Sequence, residues 1–422
     1  MLRSLSRRLH TWLSYVHYQV PWCVPQWGLG EFASTVCCMV TGHLARGPEP
    51  ARLAEALRAS LNVPYALPVG QGRVAIALAL HALGLGSDDE VVLPSYVCAS
   101  VLDAVRYAGL KPIFADVGPD LHVTSETVAA ALTPKTKCVI VPHLFGNTAP
   151  IEEIAALLHG TGIHLIDDAA QSLGAHRAGR LVGTFGTCGI VSCGPGKPLA
   201  GSAGGVLVTA DAALFERASR IALAYEPEAA IARRVGGFWL WRRFRKFSLG
   251  LLVLRDRLLG PPGADRLRPT LLSNLEAAVA RHQLRTLQKH VQERRRNAIR
   301  LLEALGPLAR WSILDLSGDG AAAKLALVLP AGGPAVSELI DQFAQVGVEC
   351  QAGYTPCHQT AGIEATLPET ERLWQRVLCI PLETALRRPW RLARAARNAA
   401  RNARATSNGA LDASLENVLG GV

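Results

Sequence analysis

Ten cysteines are scattered through the 422-residue chain, with one adjacent pair at Cys37 and Cys38, yet no CxxC and no Cys/His pattern has zinc-site spacing. A metal site is therefore not expected. Long apolar runs are also missing: the longest candidate, Leu249 to Leu254, falls far short of the roughly 20 residues of a spanning helix. The opening residues MLRSLSRRLHTWLSYV are basic, and Arg7, Arg8 and His10 interrupt the continuous apolar stretch that a secretory signal requires. The expectation is a reducing, cytoplasmic compartment, at most peripheral to the inner face of a membrane. There is no internal repeat. Hydrophobic residues make up 49% of the chain, which excludes disorder throughout. At about 150 residues per domain, the length suggests two or three domains.

What is present in excess is positive charge, with 44 basic against 34 acidic side chains and a net charge of +10. Three segments concentrate it. Residues 1 to 16 hold three arginines and no acid, residues 233 to 257 hold eight basic side chains and one acid, and residues 387 to 404 hold seven arginines and no acid. Together they carry +17 of a total of +10, so the remainder carries −7. Nucleic acid is not the expected partner, because no recognisable module is present and the arginine-rich tail has only Trp390 to offer for stacking. An anionic membrane surface or a subunit contact suits these appendages better. The stretch 233–260, RRVGGFWLWRRFRKFSLGLLVLRDRLLG, reads either as a membrane-surface element or as a flap packed on the body.

Short apolar runs bounded by turn residues alternate with helix-like sequence from about Pro48. They are VVLP (Val91 to Pro94), KPIFADV (Lys111 to Val117), KCVIVPHLFG (Lys137 to Gly146), HLIDDAAQ (His164 to Gln171), CGIVSC (Cys188 to Cys193) and GGVLVTA (Gly204 to Ala210). Such a rhythm predicts an α/β layer around a mostly parallel sheet, with ligands at the carboxyl ends of the strands. A long helical pattern from Ser273 to about Leu305 follows. KLALVLP (Lys324 to Pro330), a helix around Ala335 to Val346 and VLCIPL (Val377 to Leu382) then predict a smaller α+β unit. The expected division is a basic arm (1–46), a large domain (47–272) with the 233–260 insert, a linking helix and small domain (273–386), and an Arg/Ala tail (387–422).

Three features fall at predicted strand ends. Gly70, Gly72 and Arg73 precede the helical AIALALHAL, a place where free amides favour an anion such as phosphate, although a tight turn is equally compatible. Asp167 and Asp168 close the run HLI; a carboxylate there can bind a metal, a ribose hydroxyl or a protonated ring nitrogen, or merely cap the next helix. Lys197 lies in SCGPGKPLAGSAGG, among glycines and prolines that suit close backbone approach, whereas a lone lysine is ordinarily surface charge.

In order along the chain, GRVAIALAL, VVLPSYVCASVLDAV, KPIFADV, VPHLFGN, LIDDAAQSLGA, VGTFGTCGIVSCGPGKPLAG and LLSNLEAAVARHQL resemble the markers of the DegT/DnrJ/EryC1/StrS sugar aminotransferases. The resemblance runs from about Gly47 to Leu382. It implies a fold-type I pyridoxal-phosphate enzyme, working as a homodimer through the PLP and PMP forms of its cofactor. The amino donor would be glutamate and the acceptor a keto group on a nucleotide-activated sugar, in polysaccharide or glycoconjugate synthesis. The residues carried over are Lys197 as the lysine that bonds the cofactor, Asp168 as partner of its ring nitrogen, and Ser192 with Gly72, Arg73 and Val74 around its phosphate. Gln171 would lie near the ring. Departures are equally specific. Cys193 and Gly194 replace the usual aromatics before the lysine, and Cys98 stands at the position that often stacks on the ring, leaving Tyr96 and His143 as candidates. Pro269 stands where a neighbouring subunit often lends an asparagine, and the loop after Lys197 is about one residue shorter. A PMP-dependent sugar dehydratase on the same scaffold would lack the lysine. The resemblance is also compatible with amination of a cyclitol or another cyclic ketone, and with a non-catalytic regulator. Tyr354 and His358 in GYTPCHQT resemble a substrate-side stretch of the small domain, or form a polar loop.

Overall fold

The computed structural model describes residues 27–227, 267–315, 319–345 and 347–382, together with Trp22 and Ile231. The insert and both termini singled out above lie almost wholly outside these residues. The strands are β1 (Tyr65–Val69), β2 (Glu90–Pro94), β3 (Lys111–Ala115), β4 (Thr136–Pro142), β5 (His164–Asp168), β6 (His176–Arg177), β7 (Arg180–Leu181), β8 (Cys188–Ser192), β9 (Gly205–Thr209), β10 (Glu226–Pro227), β11 (Thr270–Leu271), β12 (Lys324–Val328), β13 (Gln351–Ala352) and β14 (Val377–Pro381). The helices, again in chain order, are α1 (Leu29–Val40), α2 (Glu49–Leu61), α3 (Gly72–Ala82), α4 (Ala99–Tyr107), α5 (Ser125–Ala131), α6 (Ile151–Leu158), α7 (Ala212–Ala222), α8 (Asn274–Arg285), α9 (Leu287–Leu305), α10 (Val336–Gln345), α11 (Cys357–Ala361) and α12 (Pro368–Leu373).

All six apolar runs of the large domain are strands of one nine-stranded sheet, ordered β10-β11-β1-β9-β8-β5-β4-β2-β3. From β3 to β8 every pairing is parallel. β9 runs against both β8 and β1, so the sheet is mixed, and β1 points the same way as β8. This is the expected α/β layer of a fold-type I transferase. Near-continuous burial explains the uninterrupted apolar runs: β8 and β9 are buried at every position. α3 is buried on almost its whole circumference, from Val74 to Ala82, which is why AIALALHAL has no polar face.

A second core surrounds the three-stranded sheet β12-β14-β13, where Leu325, Leu327, Leu378 and Ile380 pack with Leu339, Phe343 and Leu301. One expectation is corrected here. The pattern from Ser273 to Leu305 is two helices, not one: Thr286 leaves helical geometry at φ −106, ψ 4. Its amide and hydroxyl both turn back to the Gln283 carbonyl, at 3.1 and 3.2 Å. A threonine that satisfies the preceding turn locally gives the backbone an alternative to the helical ladder.

Candidate active site

The carboxyl ends of β1, β5 and β8 converge on one rim. Ser192 ends β8 and is paired with Gly205 at the start of β9, while Gln71 bridges to Gly204 just before it. That pairing forces the β1–α3 turn against the sheet. A Cβ on Gly205 would fall 2.3 Å from the Gln71 carbonyl oxygen, so that position needs glycine for close approach, and one on Gly72 would stand a tight 3.2 Å from the Ser192 hydroxyl oxygen. The first helical bonds of α3 are made by Val74 and Ala75, both to the Gln71 carbonyl. The Gly72 amide therefore heads the helix next to the Ser192 hydroxyl, a cup with the kind of donors an oxyanion needs. The Arg73 guanidinium leans on the Gln71 side chain at 2.6 Å. Val74 sends its side chain into the core, so it could offer the cup only backbone.

The two adjacent aspartates have different environments. Asp167 is fully buried and fully engaged: one carboxylate oxygen accepts from His143 Nε2 at 2.8 Å and the other from the amides of Gly183 (2.7 Å) and Phe185 (2.9 Å). His143 Nδ1 accepts the Ala149 amide at 2.9 Å, which fixes the ring proton on Nε2. His143, expected as a ring contact, has both nitrogens committed inside the core. It holds the β4 and β5 ends together instead. Asp168 accepts the Ala170 amide on Oδ1 at 3.0 Å, and Oδ2 has no partner among the described residues. Desolvation raises its pKa above the ordinary aspartate value, opposed by the Ala170 amide and by the nearby Lys197 charge. A buried carboxylate with one free oxygen is suited to a cationic N–H donor.

Lys197 is held in the loop between β8 and β9. Its amide bonds the Gly194 carbonyl at 3.3 Å, Gly196 takes a left-handed φ of +71, and the loop is closed by Cys193 with Gly204 and Gly201 with Cys193, both at 2.9 Å. The lysine is half-buried, close enough to Asp168 to act on its charge. Cys193 beside it is buried, and burial pushes its thiol up to about 12, which makes it inert packing.

From the small domain, the segment after β13 crosses onto this rim. The Tyr354 hydroxyl lies near the Gln171 side chain, and its ring lies 6.3 Å from Phe145 in a stacked arrangement and 5.8 Å from Tyr96 edge-on. Tyr96, another expected ring contact, is fully buried; its hydroxyl accepts the Tyr354 amide at 3.3 Å. The partly exposed aromatic at the site is Tyr354, backed by the buried Phe145. His358 anchors the segment: Nδ1 meets the Ser95 hydroxyl and Nε2 meets Glu371, each at 2.7 Å, while the Ser95 hydroxyl also accepts the His358 amide. Sequence reading singled out Asp168 and Lys197 from their places after apolar runs, and Ser192 from the family resemblance. It missed the structural work of Asp167 and Ser95, whose partners are remote in sequence.

A model of the DegT/DnrJ/EryC1/StrS aminotransferase family matches residues 30–389. A UDP-N-acetyl-3-dehydro-alpha-D-glucosamine 3-aminotransferase of Acidithiobacillus ferrooxidans is 40% identical over 166 residues, 39% of this chain and 45% of that protein. An L-glutamine:2-deoxy-scyllo-inosose aminotransferase of Streptomyces fradiae is 32% identical over 263 residues, 61% of this chain and 56% of that one. The chain thus spans about half the length of the curated relatives it matches. Among solved structures, the aminotransferase TlmJ from Streptoalloteichus hindustanus superposes with a TM-score of 0.75 at 25% identity, covering 91% of this chain and 99% of that one.

Proposed function

The chain belongs to the DegT/DnrJ/EryC1/StrS aminotransferase family, and from that premise we propose that it is a pyridoxal-phosphate-dependent aminotransferase acting on a keto group of a nucleotide-activated sugar. The observation that carries this reading is the convergence of Lys197, Asp168 and the Ser192–Gly72 cup on one rim of the sheet. These residues fit the cofactor: a glycine-walled cup of hydroxyl and helix-start amides for the phosphate, a buried acceptor for a protonated ring nitrogen, and an amine between them. Bound there, pyridoxal phosphate supplies an electron sink for a carbanion next to the transferred nitrogen.

Each residue then has a definable task. Ser192 Oγ, the Gly72 amide and Arg73 would hold the phosphate, and Asp168 Oδ2 would keep the ring nitrogen protonated. Lys197 Nζ would hold the cofactor's carbonyl carbon and could move a proton at the substrate carbon. Gln171 and Tyr354 orient the ring's oxygen side, and Tyr354 with Phe145 shields the rim from water. Lys197 also argues against a dehydratase, which would lack it. A cyclitol ketone is the second reading of the acceptor, favoured by the relative named for 2-deoxy-scyllo-inosose.

The purified protein should take up pyridoxal phosphate with a new near-visible absorbance band that glutamate or glutamine bleaches. Lys197→Ala should lose both the band and all turnover. A variant that kept both would refute the assignment. Offering the loaded protein keto nucleotide sugars and 2-deoxy-scyllo-inosose in parallel, and measuring amine formation, separates the two acceptors.

A further inference from the structure

The turn that follows Lys197 is anchored from outside the sheet. Leu199 is fully buried, in one apolar cluster with Leu272 and with Ala277 and Ala280 of α8. The Ala200 carbonyl accepts the indole N–H of Trp27 at 2.8 Å, a buried bond between residues 173 apart in the chain. The Ser202 hydroxyl donates to Glu276 Oε1 at 3.1 Å, and Glu276 Oε2 accepts the Ser273 hydroxyl at 2.8 Å. Trp27, just before α1, is 1% exposed and clusters with Leu275, Ala278 and Val279. Glu276 and this apolar bed of Trp27 all belong to α8, so both tethers refer the lysine's loop to that helix.

We propose that Trp27 is a positioning residue for Lys197, acting through the Ala200 carbonyl with the Ser202–Glu276 bond as a second tether; the inference rests on the aminotransferase reading above. The loop needs such help. It holds Gly194, Gly196, Gly201 and Gly204 together with Pro195 and Pro198; glycine leaves the backbone many conformations and proline offers no N–H to fix it. Lys197 adds a flexible four-carbon stem of its own. A working group must be held to within about 0.5 Å, and a misplacement of about 1 Å can cost about 100-fold in rate. An indole suits the task because its N–H donates and has no acceptor role, so a ring locked by packing fixes a carbonyl along one direction. Neither Trp27 nor Ser202 belongs to the phosphate cup or to the Asp168 acceptor. Loosening the tethers should therefore disturb the lysine and spare the rest of the site.

The test separates the two cofactor forms. Pyridoxal phosphate needs Lys197 for its near-visible band, whereas pyridoxamine phosphate, with an amine in place of the carbonyl, makes no covalent bond to it. Trp27→Phe keeps a packed aromatic ring and deletes the N–H. Its uptake of pyridoxal phosphate, followed as growth of the band, should slow about tenfold, while its affinity for pyridoxamine phosphate, read by titration calorimetry, should match the wild type. Ser202→Ala should act in the same direction and carries the test if Trp27→Phe does not fold. In the cofactor-free protein, hydrogen exchange should quicken over residues 194–204 in both variants, with β4 and β5 still protected. Equal losses for the two cofactor forms would reduce Trp27 to a packing residue and overturn the proposal. Unchanged uptake of pyridoxal phosphate, or unchanged exchange in the loop, would overturn it as well. A wild-type protein that binds neither form would instead refute the aminotransferase reading, and exchange over residues 194–204 would still decide whether Trp27 holds the lysine's loop.

Discussion

At the scale of the residue, Asp168 couples stability to function. Its raised pKa means that the folded chain holds the proton more tightly than the unfolded chain does. Stability of the cofactor-free protein therefore falls as pH rises from the ordinary aspartate value through the raised one. Asp168→Asn removes that penalty. Its cofactor-free melting temperature at neutral pH should match or exceed that of the wild type, while cofactor affinity drops about 10- to 100-fold with the loss of a charge-assisted hydrogen bond. Melting curves and absorbance titration would check the two halves. His143 behaves in the reverse sense: His143→Ala strips the buried Asp167 carboxylate and the Ala149 amide of their partner, which should cost about 3–5 kcal/mol in urea unfolding. Lys197 and Asp168 could be singled out in the sequence because each follows an apolar run, whereas Ser192 came from the family resemblance. The buried fates of His143 and Tyr96 could not, since each is decided by a partner remote in sequence.

At the scale of the element, the apolar runs give nearly every strand of the sheet from β2 to β9, because a buried parallel strand leaves no polar trace to confuse it. β1 is harder to see. YALPV carries Pro68, which ordinarily argues against a central strand, yet here β1 pairs along its whole length with β9 and meets β11 only through Val69. The reversed direction of β9 is equally invisible, as apolar runs carry no polarity. The seam between β9 and α3 depends on one missing side chain. Gly205→Ala would drive a Cβ into the Gln71 backbone, and we expect a loss of about 3 kcal/mol together with weakened phosphate binding, read by thermal melting and by cofactor titration.

At the scale of the molecule, directed hydrogen bonds tie the C-terminal elements to the large sheet. The Asp116 carboxylate, just past β3, accepts the amides of Glu369 and Thr370 and the Thr370 hydroxyl, at 2.9, 2.7 and 2.7 Å, and so heads α12 from across the domain boundary. Asp116→Ala should cost about 1–2 kcal/mol, as for a lost helix cap. The loss should fall locally: hydrogen exchange ought to quicken in residues 351–373 while β4 and β5 keep their protection. None of the described helices is long and apolar enough to cross a bilayer.

The turn that forms the phosphate cup is also where the sheet is sewn shut. β8 and β9 are near neighbours in the chain, whereas β1 reaches β9 from far upstream, and that pairing brings Gln71 and Gly72 against Gly204, Gly205 and Ser192. Contacts between segments so distant in sequence are slow to form. A phosphate bridging the cup would act as a closing pin for the last join of the fold. Pyridoxal phosphate or inorganic phosphate present during refolding should raise the yield of native protein, and the holoprotein's resistance to unfolding should grow with the logarithm of ligand concentration.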